Sequence, residues 1–314
     1  MSSSPVRTRF SKNAPQRSAA GVKPLACLIA VAISGASGLA FAATSAGAAD
    51  AGQAEASKGN LPSAESLFEK YVAAIGGTER LTAIKSRLTD GMMEDKSRNF
   101  RARLTLWQKA PNLMFGVIEN PGTGTWEVGF DGEKAWTTDL NGTVLHDGQD
   151  WAIRADAALF LGDADFRKRY RSMETLDEGR IEGRAVYRVR VQSVHDLPPG
   201  FVFFDVESGL ITGTETMTGP PGADGKPTAS ASIIGEYKSF GDVKLPTRII
   251  ERRPDGEMVT TYRDIRLDVT DLPTFKAPAD AKPAKPAQPA GQAPTGQAGA
   301  GQAGGEAAPS GGGR

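Results

Sequence analysis

The chain has 314 residues, 39% hydrophobic and 24% charged, with 37 basic side chains against 37 acidic ones. That balance excludes the strongly basic surface by which a nucleic-acid-binding domain is recognised. A single cysteine, Cys27, excludes a disulfide scaffold and a cysteine-ligated metal.

Residues 1–23 carry Arg7, Arg9, Lys12, Arg17 and Lys23 with no acidic residue, and the apolar run Leu25 to Ile33 follows. A basic head, a short apolar stretch and the triplet Ala40-Phe41-Ala42 form a signal-peptide pattern, with cleavage expected before Ala43. Interrupted by Ser34, Gly35 and Ser37, the stretch is too short to span a bilayer well. Cys27 lies too early in it for lipid attachment and reads as filler. Removing residues 1–42 takes five of the 37 basic residues, leaving 32 against 37 acidic. Residues 43–60, rich in Ala, Gly and Ser, read as a linker. Residues 276–314 contain no aromatic or branched aliphatic side chain and are expected to be a disordered tail. Residues 61–275 remain for one folded domain.

The first element is a helix over 64–75, with Ser63 as its cap, Leu67, Phe68, Tyr71, Val72 and Ile75 on one face, and Gly76-Gly77 as its stop. A second, shorter helix runs from Thr78 to about Ile84. Period two then takes over: Phe100, Ala102, Leu104 and Leu106 oppose Arg101, Arg103 and Thr105, the signature of a half-buried strand. Strands follow at 113–119, 125–130 and 134–138, turned by Ala110-Pro111-Asn112, Asn120-Pro121-Gly122 and Asp131-Gly132. Apolar residues too dense for alternation predict a helix over 150–161. Strands resume at 185–191, 201–206, 210–216, 232–239, 243–251 and 259–269, with Gly219 to Lys226 read as a mobile loop and Pro254-Asp255-Gly256 as a hairpin turn. The order predicts an α+β single domain: one large twisted antiparallel sheet with helices on one face.

Several segments, in this order, resemble the outer-membrane lipoprotein-sorting proteins of the LolA/LolB type. They are Leu67-Phe68-Glu69-Lys70-Tyr71-Val72-Ala73-Ala74-Ile75-Gly76-Gly77, the Phe130-Asp131-Gly132-Glu133-Lys134-Ala135-Trp136 hairpin, Glu178 to Tyr187 and Gly241 to Ile249. The resemblance covers roughly Leu61 to Phe275. It implies an unclosed β-barrel whose concave apolar face, covered by helices, holds a lipid or lipoprotein acyl chains in the periplasm without catalysis. The group also includes RseB-type envelope-stress sensors, so contact with another envelope protein is the alternative it implies. The Gly219 to Lys226 insert and the tail depart from the simple carrier pattern.

No H-E-x-x-H, Gly-x-Ser-x-Gly, phosphate-binding or dinucleotide motif occurs, so no catalytic residue, metal ligand or cofactor is assigned. His146 and His195 read as surface loop residues, and Asp147 to Asp150 and Gly162 to Asp165 as solvated turns. The run Arg167-Lys168-Arg169-Tyr170-Arg171 reads as solvated, with contact to anionic headgroups as its functional alternative. The candidate ligand-binding residues are Phe100, Leu104, Leu106, Phe115, Trp126, Val128, Phe130 and Trp136, on alternate positions of consecutive strands. They line either a dry core or a cavity of about a few hundred Å³. Trp126 and Trp136, both even-numbered, are expected on one face provided no bulge intervenes at Asp131-Gly132.

Overall fold

The computed structural model describes residues 61–217, 229–253 and 256–284. The expected signal peptide and linker, the Gly219 to Lys226 insert, Pro254-Asp255 and the tail from Lys285 lie outside the described residues.

Helix α1, Ala64–Ala74, begins where Ser63 Oγ accepts the Ser66 N–H at 3.2 Å. It ends at Gly76 and Gly77, whose φ angles of 128° and 83° suit only glycine well. Helix α2, Thr78–Ala83, follows directly. The strands are β1 (Ser86–Asp95), β2 (Phe100–Lys109), β3 (Leu113–Asn120), β4 (Gly124–Phe130), β5 (Ala135–Asp139) and β6 (Gly142–His146). Helix α3, Gly148–Ala158, and the short α4, Phe166–Arg169, lead into β7 (Tyr170–Ile181), β8 (Arg184–Ser193), β9 (Gly200–Asp205), β10 (Ile211–Thr216), β11 (Ser230–Phe240), β12 (Val243–Arg253) and β13 (Gly256–Leu267). A last strand, β14, is only Lys282–Pro283.

These form one sheet in the order β14-β6-β5-β4-β3-β2-β1-β13-β12-β11-β10-β9-β8-β7. Every neighbouring pair is antiparallel except β14 with β6. The terminal strands β14 and β7 are not paired with each other, so the barrel is unclosed. The expected α+β fold is the one observed, with β1, β6, β7 and β14 as additions. In β1, alternate residues are buried, yet Arg87 and Asp95 stand among the inward positions and break the apolar alternation a strand is read from.

The helices cover the inner face over two apolar cores. Around α1, Phe68 is fully buried, its ring 4.9 Å from Phe166 and 4.8 Å from Phe204. Under α3, Ala155, Ala157 and Ala158 pack against Leu104, Met114, Ile118, Val128 and Phe130. Alanines at the contact leave room for a helix to lie close on a sheet of larger side chains, and each fully buried large side chain contributes roughly 1.5–3 kcal/mol.

The described chain passes Phe275, where the folded domain was expected to end. From β13 in mid-sheet it crosses to β6 at the edge. Asp268 N–H donates to Ser86 O at 2.8 Å at one end of this strap, and Ala284 N–H to Leu145 O at 2.9 Å at the other. A Pro/Ala-rich composition cannot build a core, but an unpaired edge strand offers backbone groups that even such a segment can use.

Candidate functional site

Between the two cores, where neither α1 nor α3 reaches across, lies a cavity of about 180 Å³. Tyr71 of α1 and Ile75 directly after it, Leu81 of α2, Arg87 and Thr89 of β1, Leu106 and Gln108 of β2, Ile249 of β12 and Tyr262 and Ile265 of β13 line it. Asp156 and Ala157 of α3, the segment Leu159–Ala164 and Arg169 of α4 also line it. On the far side of that segment a second hollow, about 260 Å³, shares Ile84, Leu159, Phe160, Leu161, Gly162 and Arg169 with the first. Phe160 N–H donates to Pro111 O at 3.0 Å, which ties the dividing segment to the β2–β3 turn.

A buried ionic network anchors one side. Arg169 gives Nη2 to Asp156 Oδ2 at 2.6 Å and Nη1 to Asp163 at 3.0 Å. Ser193 Oγ donates to the other Asp156 oxygen at 2.9 Å, and the Tyr170 hydroxyl donates to Asp163. Burial works against the Arg169 charge, but the two carboxylates hold its pKa well above the ordinary arginine value. The network joins α3, the turn after it, α4, β7 and β8, and it fixes where the dividing segment starts and ends.

Arg87 is placed differently. Its Nε donates to Gln108 Oε1 at 3.1 Å, its Nη2 donates to the same oxygen, and its guanidinium stands 5.5 Å from the Phe160 ring centre. Among the described residues no carboxylate pairs with it, and burial lowers its pKa. Burial also raises Tyr262, to about 12, with the Arg87 charge opposing.

Of the eight candidate residues, Leu106 lines the cavity. Phe100, Leu104, Trp126, Val128 and Phe130 share its face but pack in the α3 core. Phe115 and Trp136 are corrections to the expected single face. Trp107 pairs with Phe115, Phe115 with Gly129 and Gly129 with Trp136, and this row points outward. The reason is parity: Phe130 pairs with Ala135 across the Asp131–Lys134 turn, so even-numbered residues of β4 face odd-numbered ones of β5. Trp126 and Trp136 therefore lie on opposite faces without any bulge.

The other expectations also move. His146 is a strand residue, largely buried, with Nε2 2.9 Å from Thr137 Oγ1 and Nδ1 3.6 Å from Asp150. His195 meets Trp151 edge-on at 5.7 Å. In the basic run Arg167, Lys168 and Arg171 are solvent-exposed and each pairs with a carboxylate, Arg167 with Glu69 at 2.7 Å, Lys168 with Asp165 at 2.8 Å and Arg171 with Asp196, whereas Arg169 departs from the solvated reading as the buried anchor just described. Sequence reasoning missed the inward charges Arg87, Asp156, Arg169 and Glu251. For Glu251 the one signal is a charged residue on the apolar parity of a strand, as in Val243, Leu245, Thr247, Ile249, Glu251. Among the described residues no cluster has the donors for a metal, and no helix is long and apolar enough to cross a membrane.

Fold and site together define an open half-barrel with a helix-covered cavity at its seam. No protein-family model and no curated protein sequence matches the chain. It is similar in structure to a LolA superfamily protein from Nitrosomonas europaea, with 14% identity over 69% of this chain and 99% of the other and a TM-score of 0.49. It is also similar to a DUF1329 family protein from Desulfovibrio piger (9% identity, 66% and 93% covered, TM-score 0.46). An outer membrane lipoprotein-sorting protein domain from Vibrio parahaemolyticus is a third such structure (12% identity, 66% and 95% covered, TM-score 0.43).

Proposed function

We propose that this chain is an exported, non-catalytic binding protein of the bacterial envelope that holds an apolar ligand, a lipid or the acyl chain of a lipoprotein, in the central cavity. Export rests on the signal-like residues 1–42. The observation that carries the reading is the cavity of about 180 Å³ at the seam of two packed cores, walled by Ile75, Leu81, Leu106, Ile249 and Ile265. Protein interiors pack to crystal-like density and keep few voids of that size.

The space is smaller than the roughly 300–1,000 Å³ of most small-molecule sites. Outward displacement of Leu159–Gly162 would join it to the neighbouring hollow of about 260 Å³ and bring the volume into that range. Loading of a full acyl chain thus requires this segment to move, and its tie to Pro111 is one hydrogen bond that must yield. Native mass spectrometry of protein purified from its own envelope tests the reading through a co-purified lipid. Titration with N-phenyl-1-naphthylamine, an uncharged probe of apolar sites, gives an affinity. A protein that carries no lipid and does not bind the probe removes the proposal.

A further inference from the structure

Arg87 combines features that a merely structural arginine would not show together. It projects from β1 into the cavity wall, on the inner face, where its register partners are Gln108 on β2 and Leu267 on β13. Both of its hydrogen bonds end on one neutral oxygen, that of Gln108. A guanidinium has five N–H donors in a planar fork shaped for an oxyanion, so most of its capacity is unused.

The carboxylates nearest the cavity cannot serve it. Asp156 is taken by Arg169 and Ser193, and Asp163 by Arg169 and Tyr170. The cavity wall therefore carries one ionic network, a single cation shared by two carboxylates, and a second cation, Arg87, that neither of those carboxylates touches. An unpaired charge held away from water is costly, and an anion at that point removes the cost. Tyr71 and Tyr262, which also line the cavity, stand close enough to feel the Arg87 charge.

We infer that the ligand of this cavity is an anionic amphiphile: a carboxylate or phosphate monoester head pairs with the Arg87 fork, and an alkyl chain runs from it along Leu106, Ile249 and Ile265. This rests on the lipid-binding reading above and narrows it, because an uncharged lipid would leave the Arg87 fork without an anionic partner. A single-chain molecule matches the one charge, and its chain is accommodated once Leu159–Gly162 moves outward as described above.

The test is displacement of N-phenyl-1-naphthylamine from the full exported chain by decanoate, decyl phosphate, methyl decanoate and 1-decanol. The chains match, so differences report the head. At least one of the two anions is expected to compete about tenfold or more better than the ester and the alcohol, the size of a charge-assisted pair in a partly dry site, and the better anion identifies the head. Arg87→Met should abolish that preference, so that the anions compete no better than the ester and the alcohol. Arg87→Lys, which keeps charge without the fork, should retain part of it, and a thermal melt checks that both fold. If neither folds, the comparison of the four competitors on the wild-type chain still decides. Equal competition by anions and neutral analogues overturns this inference and leaves the lipid reading standing. Failure of the probe and all four competitors to bind removes both.

Discussion

Glu251 is fully buried on the inner face of β12, opposite Ser232 of β11 and Met258 of β13, and neither of its carboxyl oxygens has a hydrogen-bond partner. Burial pushes its pKa up from 4.5 to about 8, with the neighbouring Arg253 opposing. In the unfolded chain the group ionises near 4.5; in the folded chain it stays protonated to about 8. Between those values the native state binds the extra proton, so stability must fall as pH rises from about 4.5 and level off above about 8. At about 1.4 kcal/mol per pH unit the ceiling on this loss is roughly 5 kcal/mol, and relaxation of the site makes a few kcal/mol the expected size. Glu251→Gln keeps the shape and cannot ionise. Urea unfolding of wild type and variant at pH 5, 7 and 9 measures the effect: near-equal stability is expected at pH 5 and a more stable variant at pH 9. Asp95, Asp150 and Asp205 are held below the ordinary carboxylate value, so their own loss of stability falls at lower pH and cancels in the comparison. A difference between the two proteins that is flat from pH 5 to 9 would refute the reasoning.

Trp136 is an outward core residue, 1% exposed, so Trp136→Ala should cost about 3–5 kcal/mol in thermal or urea melts without weakening probe binding. A Cβ at Gly129 would lie 2.0 Å from Trp136 Cζ2; Gly129→Ala should therefore destabilise by about 1–3 kcal/mol in the same melts, and an unchanged midpoint would contradict this packing. Arg169→Met leaves Asp156 and Asp163 without their shared cation and should cost about 3–5 kcal/mol, read by chemical denaturation at neutral pH. The strap from Asp268 to Ala284 runs from β1 to β6, the strands between which the outward row Leu88, Trp107, Phe115 and Trp136 lies, and Leu272, Pro273 and Phe275 on it are half-buried. If the strap covers that row, ending the chain after Val269 exposes it, seen as a red shift in tryptophan emission and a lower melting temperature; unchanged emission would mean that the strap does not cover Trp136.

Much of the local structure was determined by the sequence alone, because it rests on neighbours in the chain. Ser63, the 3.6-residue pattern from Leu67 to Ile75 and Gly76-Gly77 define α1 from end to end. Alternation in Phe100 to Leu106 and the turn chemistry at Asp131-Gly132 define β2 and the β4–β5 hairpin. The open sheet with helices on one face follows from the order of these elements. Only the tertiary structure decided which face each strand turns inward, since that depends on how residues pair across a turn. One residue of offset between Phe130 and Ala135 sends Trp126 in and Trp136 out. It alone revealed β1, because Arg87 and Asp95 interrupt the apolar pattern by pointing into the interior, where their partners come from far along the chain. The cavity itself is a remainder left where α1 and α3 fail to meet over the sheet. Its volume depends on side chains from helices and strands nearly 200 residues apart, and no local pattern encodes a sum over such distances.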